Sequence, residues 1–545
     1  MSELAAGDAG MTLGDVVADN ARRFPDVVAY REDEREVTHS GLAERGARLV
    51  SAMVAAGVRH QDRIALMSRN GLEFAELLAA SQMAGIVMAT INFRLSSAEV
   101  LDALQRVTPT IVFCEDEFAP VIAGLSNELT GVLRTVSIGA QSWPHMTGYE
   151  EFVGEGQSEA LPFVAQPEDI ACLLFTSGTT GASKCCILGH RELRRVGFAL
   201  NAAIGVGSAD TGLIPMPMFH FGAISIIGSV HAGGGTVLLQ KQFDPAEAVG
   251  LCARHGVTLL HLAPVMLQAL LDQPAVSSGL STVRSVLYGA APMTPHTLRK
   301  AMRSLPNAGF INLYGQTEAS ATFLPRELHA LDDADAERRL RSVGFPFPGT
   351  RIRLVDDEGR EVPVGEPGEI LIRSDSMFRG YWNDQAATLV TLRNGWCHTG
   401  DVGRFDDRGL LYLVDRKKDV IISGGENVYS PEVEDAVSGM ESVAACSVIG
   451  TPDRKWGEAV CAVVVTRPGA TTTLEDIQVF VRQRHGYRGH GKRLPASRRN
   501  ATWLSTTCGR PVRVRQPYFS GVFGPAFTVC ASSVPSALVS KDPWT

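Results

Sequence analysis

Apolar and polar positions alternate with two different periods along the first part of the chain. Short apolar runs at residues 63–68, 86–91 and 110–114 have the length of buried strands, and residues 72–83 between the first two have the length and apolar spacing of a helix. Ser96 and Glu99 have the spacing of a capping box, and apolar residues follow them at helical spacing. This alternation predicts βαβ units, in which a parallel sheet is covered by helices.

The same pattern returns later in the chain. Strand-like runs at residues 257–262, 283–288 and 310–314 alternate with helices predicted after Pro264 and from Thr294 and Pro295, where threonine caps a helix and proline suits its first turn. We interpret this region as a second α/β half. Ligands in such sheets bind beyond the carboxyl ends of the strands, so the residues that follow these strands are candidates for a nucleotide site.

From residue 351 onward the elements become shorter, and a charged run divides them. Strands at residues 351–355 and 369–373 flank an acidic, glycine-containing turn, which predicts a small β subdomain. After the run Asp415–Asp419, a new pattern has strands at 420–423, 443–449 and 459–466 and helices after Ser430 and near 473–482. The predicted class is α/β: a large N-terminal domain (1–414) of two doubly wound halves plus a small β subdomain, a small mobile α+β C-terminal domain (415–482), and an atypical tail (483–545).

One apolar run ends in a cluster of hydroxyls and glycines that closes on a lysine. The cluster comprises Thr176, Ser177, Gly178, Thr179, Thr180 and Gly181, followed by Ser183 and Lys184. Glycines let the backbone approach an anion, hydroxyls donate hydrogen bonds and the lysine adds a positive charge, so the chemistry suits polyphosphate. A Walker A loop is excluded because Ser183 and Cys185 flank the lysine. In isolation, a solvated surface turn of the same composition is an equal alternative.

Composition narrows the function classes. The chain has 545 residues, 45% of them hydrophobic, and a net charge of -8, which disfavours a general nucleic-acid surface. Its ten cysteines are scattered, which favours reduced thiols, and its acidic N-terminus does not resemble a signal peptide. No apolar run reaches the roughly 20 residues that span a bilayer. We therefore expect a cytoplasmic protein; a peripheral membrane contact and the oligomeric state stay open.

Three motifs resemble those of the adenylate-forming superfamily of acyl-CoA synthetases, luciferases and adenylation domains. The hydroxyl-rich stretch resembles T-S-G-T-T-G-x-P-K, with Ser183 at the proline position. Residues 314–318 resemble Y-G-x-T-E, and residues 396–401 resemble W-x-x-T-G-D. Matching segments, among them Gly380-Tyr381-Trp382, run in order from about residue 30 to Arg482.

The resemblance implies roles for individual residues. Lys184, Thr317, Glu318 and His220 are expected to be catalytic, the histidine as a gate of the acyl pocket; an ordinary buried histidine is the alternative. Glu318 and Thr180 are expected to hold Mg²⁺. The expected nucleotide and coenzyme A contacts are Thr176, Ser177, Gly178, Thr179, Thr180, Gly181, Gly289, Ala290, Ala291, Tyr314, Gly315, Asp401, Arg416, Gly424 and Gly425.

The implied reaction is ATP-dependent ligation of a fatty or other apolar carboxylic acid to coenzyme A through an acyl-adenylate. The implied ligands are ATP, Mg²⁺ and coenzyme A. Residues 219–227 contain no charged side chain apart from His220, and residues 286–293 contain none. Nothing there would pair with the ammonium group of an amino acid, so an amino-acid substrate is disfavoured and aryl acids remain open. A ligase that delivers acyl-AMP to a carrier protein and an inactive homologue that binds nucleotide or acyl-AMP are the alternatives.

The C-terminal tail departs from the family pattern. Family members end in a motif resembling L-P-R-T-x-x-G-K, whose lysine serves adenylation, yet no lysine occurs between Arg493 and Ser540, and no Asp or Glu occurs from Gln483 to Lys541. A basic tail for nucleic acid is one interpretation. A shifted reading frame is the interpretation we favour, and it predicts impaired adenylation.

Overall fold

The computed structural model describes residues 10–158, 161–176, 183–331, 335–423, 426–453, 457–467, 469–473, 476–477 and 479–480. The chain divides into two compact units. The first unit contains Met1–Arg353, Leu371–Thr399 and Phe405–Tyr412, and the second contains Leu354–Ile370, Gly400–Arg404 and Leu413–Thr545.

The strands are numbered in chain order. They are β1 Val28–Glu32, β2 Arg35–Thr38, β3 Arg63–Met67, β4 Val87–Thr90, β5 Ile111–Glu115, β6 Arg134–Ile138, β7 Thr147–Gly148, β8 Ile170–Thr176, β9 Lys184–Gly189, β10 Thr211–Ile214, β11 Thr236–Leu239, β12 Leu259–Leu262, β13 Ser285–Gly289, β14 Gly309–Gly315, β15 Ser320–Leu324, β16 Phe345–Pro346, β17 Arg351–Val355, β18 Gly368–Arg373, β19 Leu392–Arg393, β20 Trp396–Phe405, β21 Leu411–Arg416, β22 Ile421–Ser423, β23 Glu426–Val428, β24 Val443–Asp453 and β25 Gly457–Thr466.

The α-helices that the structure describes follow the same order. They are α1 Leu13–Arg23, α2 His39–Ala55, α3 Leu72–Ala84, α4 Ser97–Val107, α5 Ala119–Gly124, α6 Tyr149–Gly154, α7 His190–Ile204, α8 Phe221–Ala232, α9 Pro245–His255, α10 Pro264–Leu271, α11 Val276–Gly279, α12 Pro295–Ser304, α13 Ala336–Leu340, α14 Gln385–Thr391 and α15 Ser430–Ser438. Short 3₁₀ turns lie at Asp116–Phe118, Ser126–Glu128 and Arg326–Leu328.

A seven-stranded sheet carries the hydroxyl-rich stretch. Its order is β7-β6-β5-β3-β4-β8-β9, parallel throughout except for the antiparallel pair β8 and β9. The strands predicted at 63–68, 86–91 and 110–114 are β3, β4 and β5. The central strands are buried on both faces, as parallel strands covered by helices must be.

A nine-stranded sheet forms the second α/β half. Its order is β16-β15-β14-β13-β12-β10-β11-β1-β2, and it is parallel from β14 to β1. Strands β1 and β2 come from the start of the chain, where the sequence analysis placed no strand, and Tyr30 of β1 lies opposite Val237 of β11. The predicted α/β class with two such halves is confirmed.

Local signals in the sequence fix the helix starts that it predicted. The Ser96 hydroxyl accepts a hydrogen bond from the Glu99 backbone N–H, and the Glu99 carboxylate accepts one from the Ser96 N–H, so α4 begins with a complete capping box. Thr294 likewise caps α12, with Pro295 in its first turn.

A five-stranded sheet corresponds to the predicted β subdomain. Its order is β17-β18-β20-β19, and β21 pairs with β20. The charged run at 415–419, expected to divide the β subdomain from the C-terminal domain, is partly regular, because β21 continues through Asp415 and Arg416.

The second unit contains a four-stranded sheet of order β23-β22-β25-β24. Strands β24 and β25 pair along their length, with Val443 opposite Thr466, and α15 packs on them through the buried side chain of Val437. Of the helix predicted near 473–482, residues 476–477 and 479–480 are helical, and the Thr473 hydroxyl caps their start. Its end lies outside the described residues. Within the part that the structure places, no helix has the length and apolar character needed to cross a membrane.

Candidate active site

The hydroxyl-rich loop leaves the end of β8 and returns as β9. Thr176 lies opposite Lys184, so these two residues form the neck of the loop. The Ser183 hydroxyl donates a 2.7 Å hydrogen bond to the Thr176 carbonyl, and the Arg106 guanidinium donates one of 2.6 Å to the Ser183 carbonyl. The predicted phosphate contacts Ser177, Gly178, Thr179, Thr180 and Gly181 lie outside the described residues.

Two of the predicted catalytic side chains meet on a third residue. The Lys184 ammonium lies over the ring of Tyr381, with Nζ 4.7 Å from its centroid. The Tyr381 hydroxyl donates a 2.7 Å hydrogen bond to Oε1 of Glu318. Tyr381 therefore brings a cation and an anion together at one place in the first unit, although the sequence motif Gly380-Tyr381-Trp382 had been assigned no role.

Glu318 is held by its neighbours on several sides. The buried Cys186 thiol lies near its carboxylate, and burial, followed by the charge of Glu318, raises the pKa of Cys186. The backbone carbonyl of Glu318 accepts a 2.8 Å hydrogen bond from the Phe378 N–H. Gln316 and Ala319 close the tight turn between β14 and β15 with reciprocal backbone bonds. Thr317 lies in this turn next to Glu318.

The candidate adenine and phosphate contacts follow the carboxyl ends of β13 and β14. Tyr314 and Gly315 end β14, and Gly289 ends β13. A Cβ at Gly289 would stand 2.3 Å from the Leu313 carbonyl oxygen, so glycine is required there. Ala290 has φ +65°, a strained value for a residue with a side chain, and it and Ala291 are exposed.

His220 precedes α8, at a strand-to-helix connection. Its ring packs 4.4 Å from the ring of Phe219, and burial, together with the charge of Arg94, lowers the pKa of His220 to about 4. The imidazole is therefore neutral near pH 7. A second buried histidine, His261, was missed by the sequence analysis: its Cε1 lies 3.3 Å from where a Cβ on Gly222 would stand. An isolated polar residue inside the apolar run of β12 was the available signal.

Asp401 and Arg416 lie in the second unit, and the structure brings these two together. Arg416 Nε is 3.6 Å from Oδ1 of Asp401, which is almost fully buried. The Lys417 N–H donates to the Gly400 carbonyl at 2.8 Å, and Gly400 has φ +69°, which favours glycine. The predicted contacts Gly424 and Gly425 lie outside the described residues.

Comparison with known proteins gives the family. The family of AMP-binding enzymes matches residues 17–382, about two thirds of the chain. This chain belongs to the AMP-binding enzyme family. The AMP-binding enzyme C-terminal domain matches residues 432–488. The resemblance found in the sequence motifs is thereby confirmed.

Relatives of this AMP-binding enzyme align along most of their lengths. A feruloyl-CoA synthase from Amycolatopsis sp is 34% identical over 498 residues, covering 91% of this chain and 96% of the relative. The fatty acid–[acyl-carrier-protein] ligase ScoC from Streptomyces coeruleorubidus is 31% identical over 477 residues, covering 86% and 89%. ATP-bound MatB from Rhodopseudomonas palustris superposes with a TM-score of 0.78 at 26% identity, covering 87% of this chain and 92% of MatB. These findings confirm the predicted class, an AMP-forming acid–thiol ligase, and its ligands ATP, Mg²⁺ and coenzyme A.

The residues of this AMP-binding enzyme fit ATP and Mg²⁺. Lys184 Nζ lies 4.7 Å from the centroid of the Tyr381 ring, and this contact with a neutral ring leaves its positive charge available. The Glu318 carboxylate accepts a hydrogen bond from a neutral donor, the Tyr381 hydroxyl. Glu318 offers one carboxylate, and Mg²⁺ usually takes one or two protein carboxylates and completes its shell with phosphates and water.

Proposed function

We propose that this chain is an ATP-dependent ligase that activates an apolar carboxylic acid as an acyl-adenylate and transfers the acyl group to coenzyme A. The observation that carries the proposal is the meeting of Lys184 and Glu318 on Tyr381, at the neck of the hydroxyl-rich loop. A cation and a fixed carboxylate at one place suit a polyphosphate and its divalent metal.

In the first step, a carboxylate oxygen of the acid forms a bond to the α-phosphorus of ATP, and the bond to pyrophosphate breaks. Lys184 would contact phosphate oxygens and orient the α-phosphate for in-line attack. Thr317 would donate a hydrogen bond to the α-phosphate, and Glu318 would hold Mg²⁺, which when bound neutralises phosphate charge. Asp401 would accept hydrogen bonds from the ribose hydroxyls, with Arg416 beside it.

In the second step, the thiol of coenzyme A attacks the acyl carbon and AMP leaves. His220 would bound the acyl pocket as a neutral imidazole, because burial lowers its pKa to about 4. An uncharged side chain there suits an apolar acyl chain better than a charged one, since an unpaired buried charge is costly.

The elements next to His220 support an apolar acid. Helix α8 buries Ala223, Ile224, Ile226 and Ile227, and the stretch 286–293 contains no charged residue. The neutral, buried His261 lies against Gly222 at the start of α8. We therefore propose fatty and aryl acids as substrates in preference to amino acids; the feruloyl-CoA synthase relative supports an aryl acid.

Coenzyme A is the proposed acceptor, and a carrier protein is the alternative that the relative ScoC supports. Between Tyr381 and Trp396 the chain forms only α14 and the two-residue strand β19. This short connection leaves no room there for the additional segment that we associate with ligases serving carrier proteins.

The test incubates the full chain with ATP, Mg²⁺, coenzyme A and a panel of medium-chain, long-chain, aryl and amino acids. AMP release and the mass of the thioester are measured. We expect both products with an apolar or aryl acid and neither with an amino acid. Lys184→Ala should lose adenylation, whereas Lys300→Ala, which removes an exposed lysine paired with Asp272, should not. AMP release without a coenzyme A thioester, but with loading of a holo-carrier protein, would favour the alternative acceptor.

We also propose that the tail weakens adenylation in this chain. The sequence beyond Gln483 contains no lysine in the position that the family motif requires. The unmodified chain is compared with one whose residues after Arg482 are replaced by the corresponding segment of a relative. We expect the replacement to accelerate AMP formation while thioester formation from supplied acyl-AMP changes little. Full ATP–pyrophosphate exchange by the unmodified chain would contradict this, and nucleotide binding without turnover in both chains would favour an inactive homologue.

A further inference from the structure

Tyr381 is the residue on which two charged groups of the site converge. Only 6% of its surface is exposed, and it is anchored by an isolated bridge to Cys186 and by its backbone N–H, which donates to the Thr388 hydroxyl at 2.9 Å. Its position is therefore set by β9 on one side and α14 on the other.

The Tyr381 hydroxyl can act only as a donor toward Glu318. An ionised carboxylate offers only acceptor oxygens, so the 2.7 Å contact is a hydrogen bond from the phenol O–H to Oε1 of Glu318. The Thr391 hydroxyl lies 3.5 Å from the phenol oxygen and donates toward it. The chain of donors thus runs from Thr391 through Tyr381 to Oε1 of Glu318.

The Cys186 thiol is a second neutral group beside Glu318, on a different strand. It is completely buried next to Glu318. A neutral donor such as the Tyr381 hydroxyl orients a carboxylate without cancelling its charge, whereas an arginine or lysine in the same place would compete with a bound cation. On its ring face, Tyr381 holds the Lys184 ammonium in the same way, by an interaction that leaves the positive charge available.

We propose that Tyr381 is a positioning residue that fixes the Glu318 carboxylate for a divalent metal through its hydroxyl and places the Lys184 ammonium for phosphate through its ring. This inference rests on the proposed function, because Glu318 is there the metal ligand and Lys184 the phosphate contact. The two parts of the side chain have separable effects: phenylalanine keeps the ring and loses the hydroxyl, and leucine loses both.

The test measures binding and not turnover. Mn²⁺, standing for Mg²⁺, is titrated by electron paramagnetic resonance in the presence of an α,β-methylene analogue of ATP, and the analogue alone is titrated by calorimetry. We expect Tyr381→Phe to weaken Mn²⁺ binding about tenfold, the usual effect of losing a partner of a metal ligand, with little change for the analogue alone. Tyr381→Leu should weaken both. Cys186→Ala should weaken Mn²⁺ binding less than Tyr381→Phe.

A matched control and a double-variant cycle separate positioning from general damage. Tyr149→Phe removes another buried tyrosine hydroxyl that donates to a glutamate, Glu76, at 2.8 Å, and it should change neither affinity. In a Glu318→Gln background, Tyr381→Phe should cause no further loss of Mn²⁺ binding. If Tyr381→Phe leaves Mn²⁺ binding unchanged, or weakens it equally in both backgrounds, the positioning role of Tyr381 is wrong and the proposed function stands. A wild-type chain that binds neither the analogue nor Mn²⁺ overturns the proposed function with it.

Discussion

The hydroxyl of Ser183 donates a 2.7 Å hydrogen bond to the carbonyl of Thr176, and this bond closes the neck of the hydroxyl-rich loop. The family signature has proline at position 183, which fixes the backbone by its ring and has no side-chain donor. In this chain a hydrogen bond across the neck takes the place of that restraint.

Removing this hydroxyl should loosen the loop and weaken ATP binding. A hydrogen bond contributes about 1 kcal/mol, so we expect Ser183→Ala to raise the dissociation constant for ATP about fivefold. Calorimetric titration of ATP measures this without turnover. Ser183→Thr keeps a hydroxyl and should bind like the wild type; equal affinities of the alanine and threonine variants would show that the bond does not shape the loop.

Gly289 should not tolerate a side chain. Because a Cβ there would stand 2.3 Å from the Leu313 carbonyl oxygen, β13 and β14 would have to separate. We expect Gly289→Ala to lower the free energy of unfolding by about 1–3 kcal/mol, the usual effect of overpacking, and to lower the melting temperature measured by circular dichroism. Gly124→Ala, at a helix position with nothing within 4 Å of the added Cβ, is the control and should melt like the wild type. Equal melting of the two variants would contradict the geometry.

Local patterns in the sequence predicted the elements that local interactions determine. The capping residues Ser96 and Thr294 and the apolar runs of β3 to β5 identified the elements directly, because caps and buried strands are properties of a few adjacent residues. The pairing of β1 with β11 joins residues about 200 positions apart, and no short-range pattern specifies it.

The candidate site shows the same division. Lys184 and Glu318 were predicted from motifs, because each lies in a characteristic loop. Their link through Tyr381 was not predicted, since the residue comes from a third segment far along the chain and its role depends on a three-dimensional contact. The proximity of the Cys186 thiol to Glu318 was missed for the same reason, because in the sequence Cys186 looks like any other apolar strand residue.

Acid should destabilise the fold through its buried histidines. Burial lowers the pKa of His190, His261 and His329 to about 4 and that of His231 to about 3. In the unfolded chain these groups take up protons below a pH of about 6.5. Between about pH 6.5 and pH 4 the folded chain binds fewer protons than the unfolded chain. The free energy of unfolding therefore has its full value above about pH 6.5 and falls as the pH drops toward about 4.

The melting temperature measured between about pH 7 and pH 5 tests this sign. We expect it to fall steadily, and His261→Phe should make the fall shallower, because one titrating group is removed. His296→Phe, at an exposed position of α12, should leave the slope unchanged. A melting temperature that is constant over this range, or the same slope in His261→Phe, would contradict the burial of neutral imidazoles.

The pair of Asp401 and Arg416 in the second unit should discriminate ATP from its deoxy forms. Arg416 Nε is 3.6 Å from Oδ1 of Asp401, and an ionised carboxylate is the kind of group that accepts hydrogen bonds from ribose hydroxyls. If Asp401 accepts hydrogen bonds from both ribose hydroxyls, the wild type should bind ATP more tightly than 2′-deoxy-ATP or 3′-deoxy-ATP, by about fivefold for each lost hydrogen bond.

Asp401→Asn should weaken ATP binding and remove most of this preference. An amide has one acceptor oxygen, and its NH₂ group cannot accept a hydrogen bond from the second hydroxyl. Asp407→Asn, which changes an exposed aspartate paired with Arg338, should keep the preference. Since the readout is a ratio of two affinities of the same variant, partial loss of folded protein does not imitate the effect. If Asp401→Asn still prefers ATP to the deoxy forms, another group binds the ribose hydroxyls.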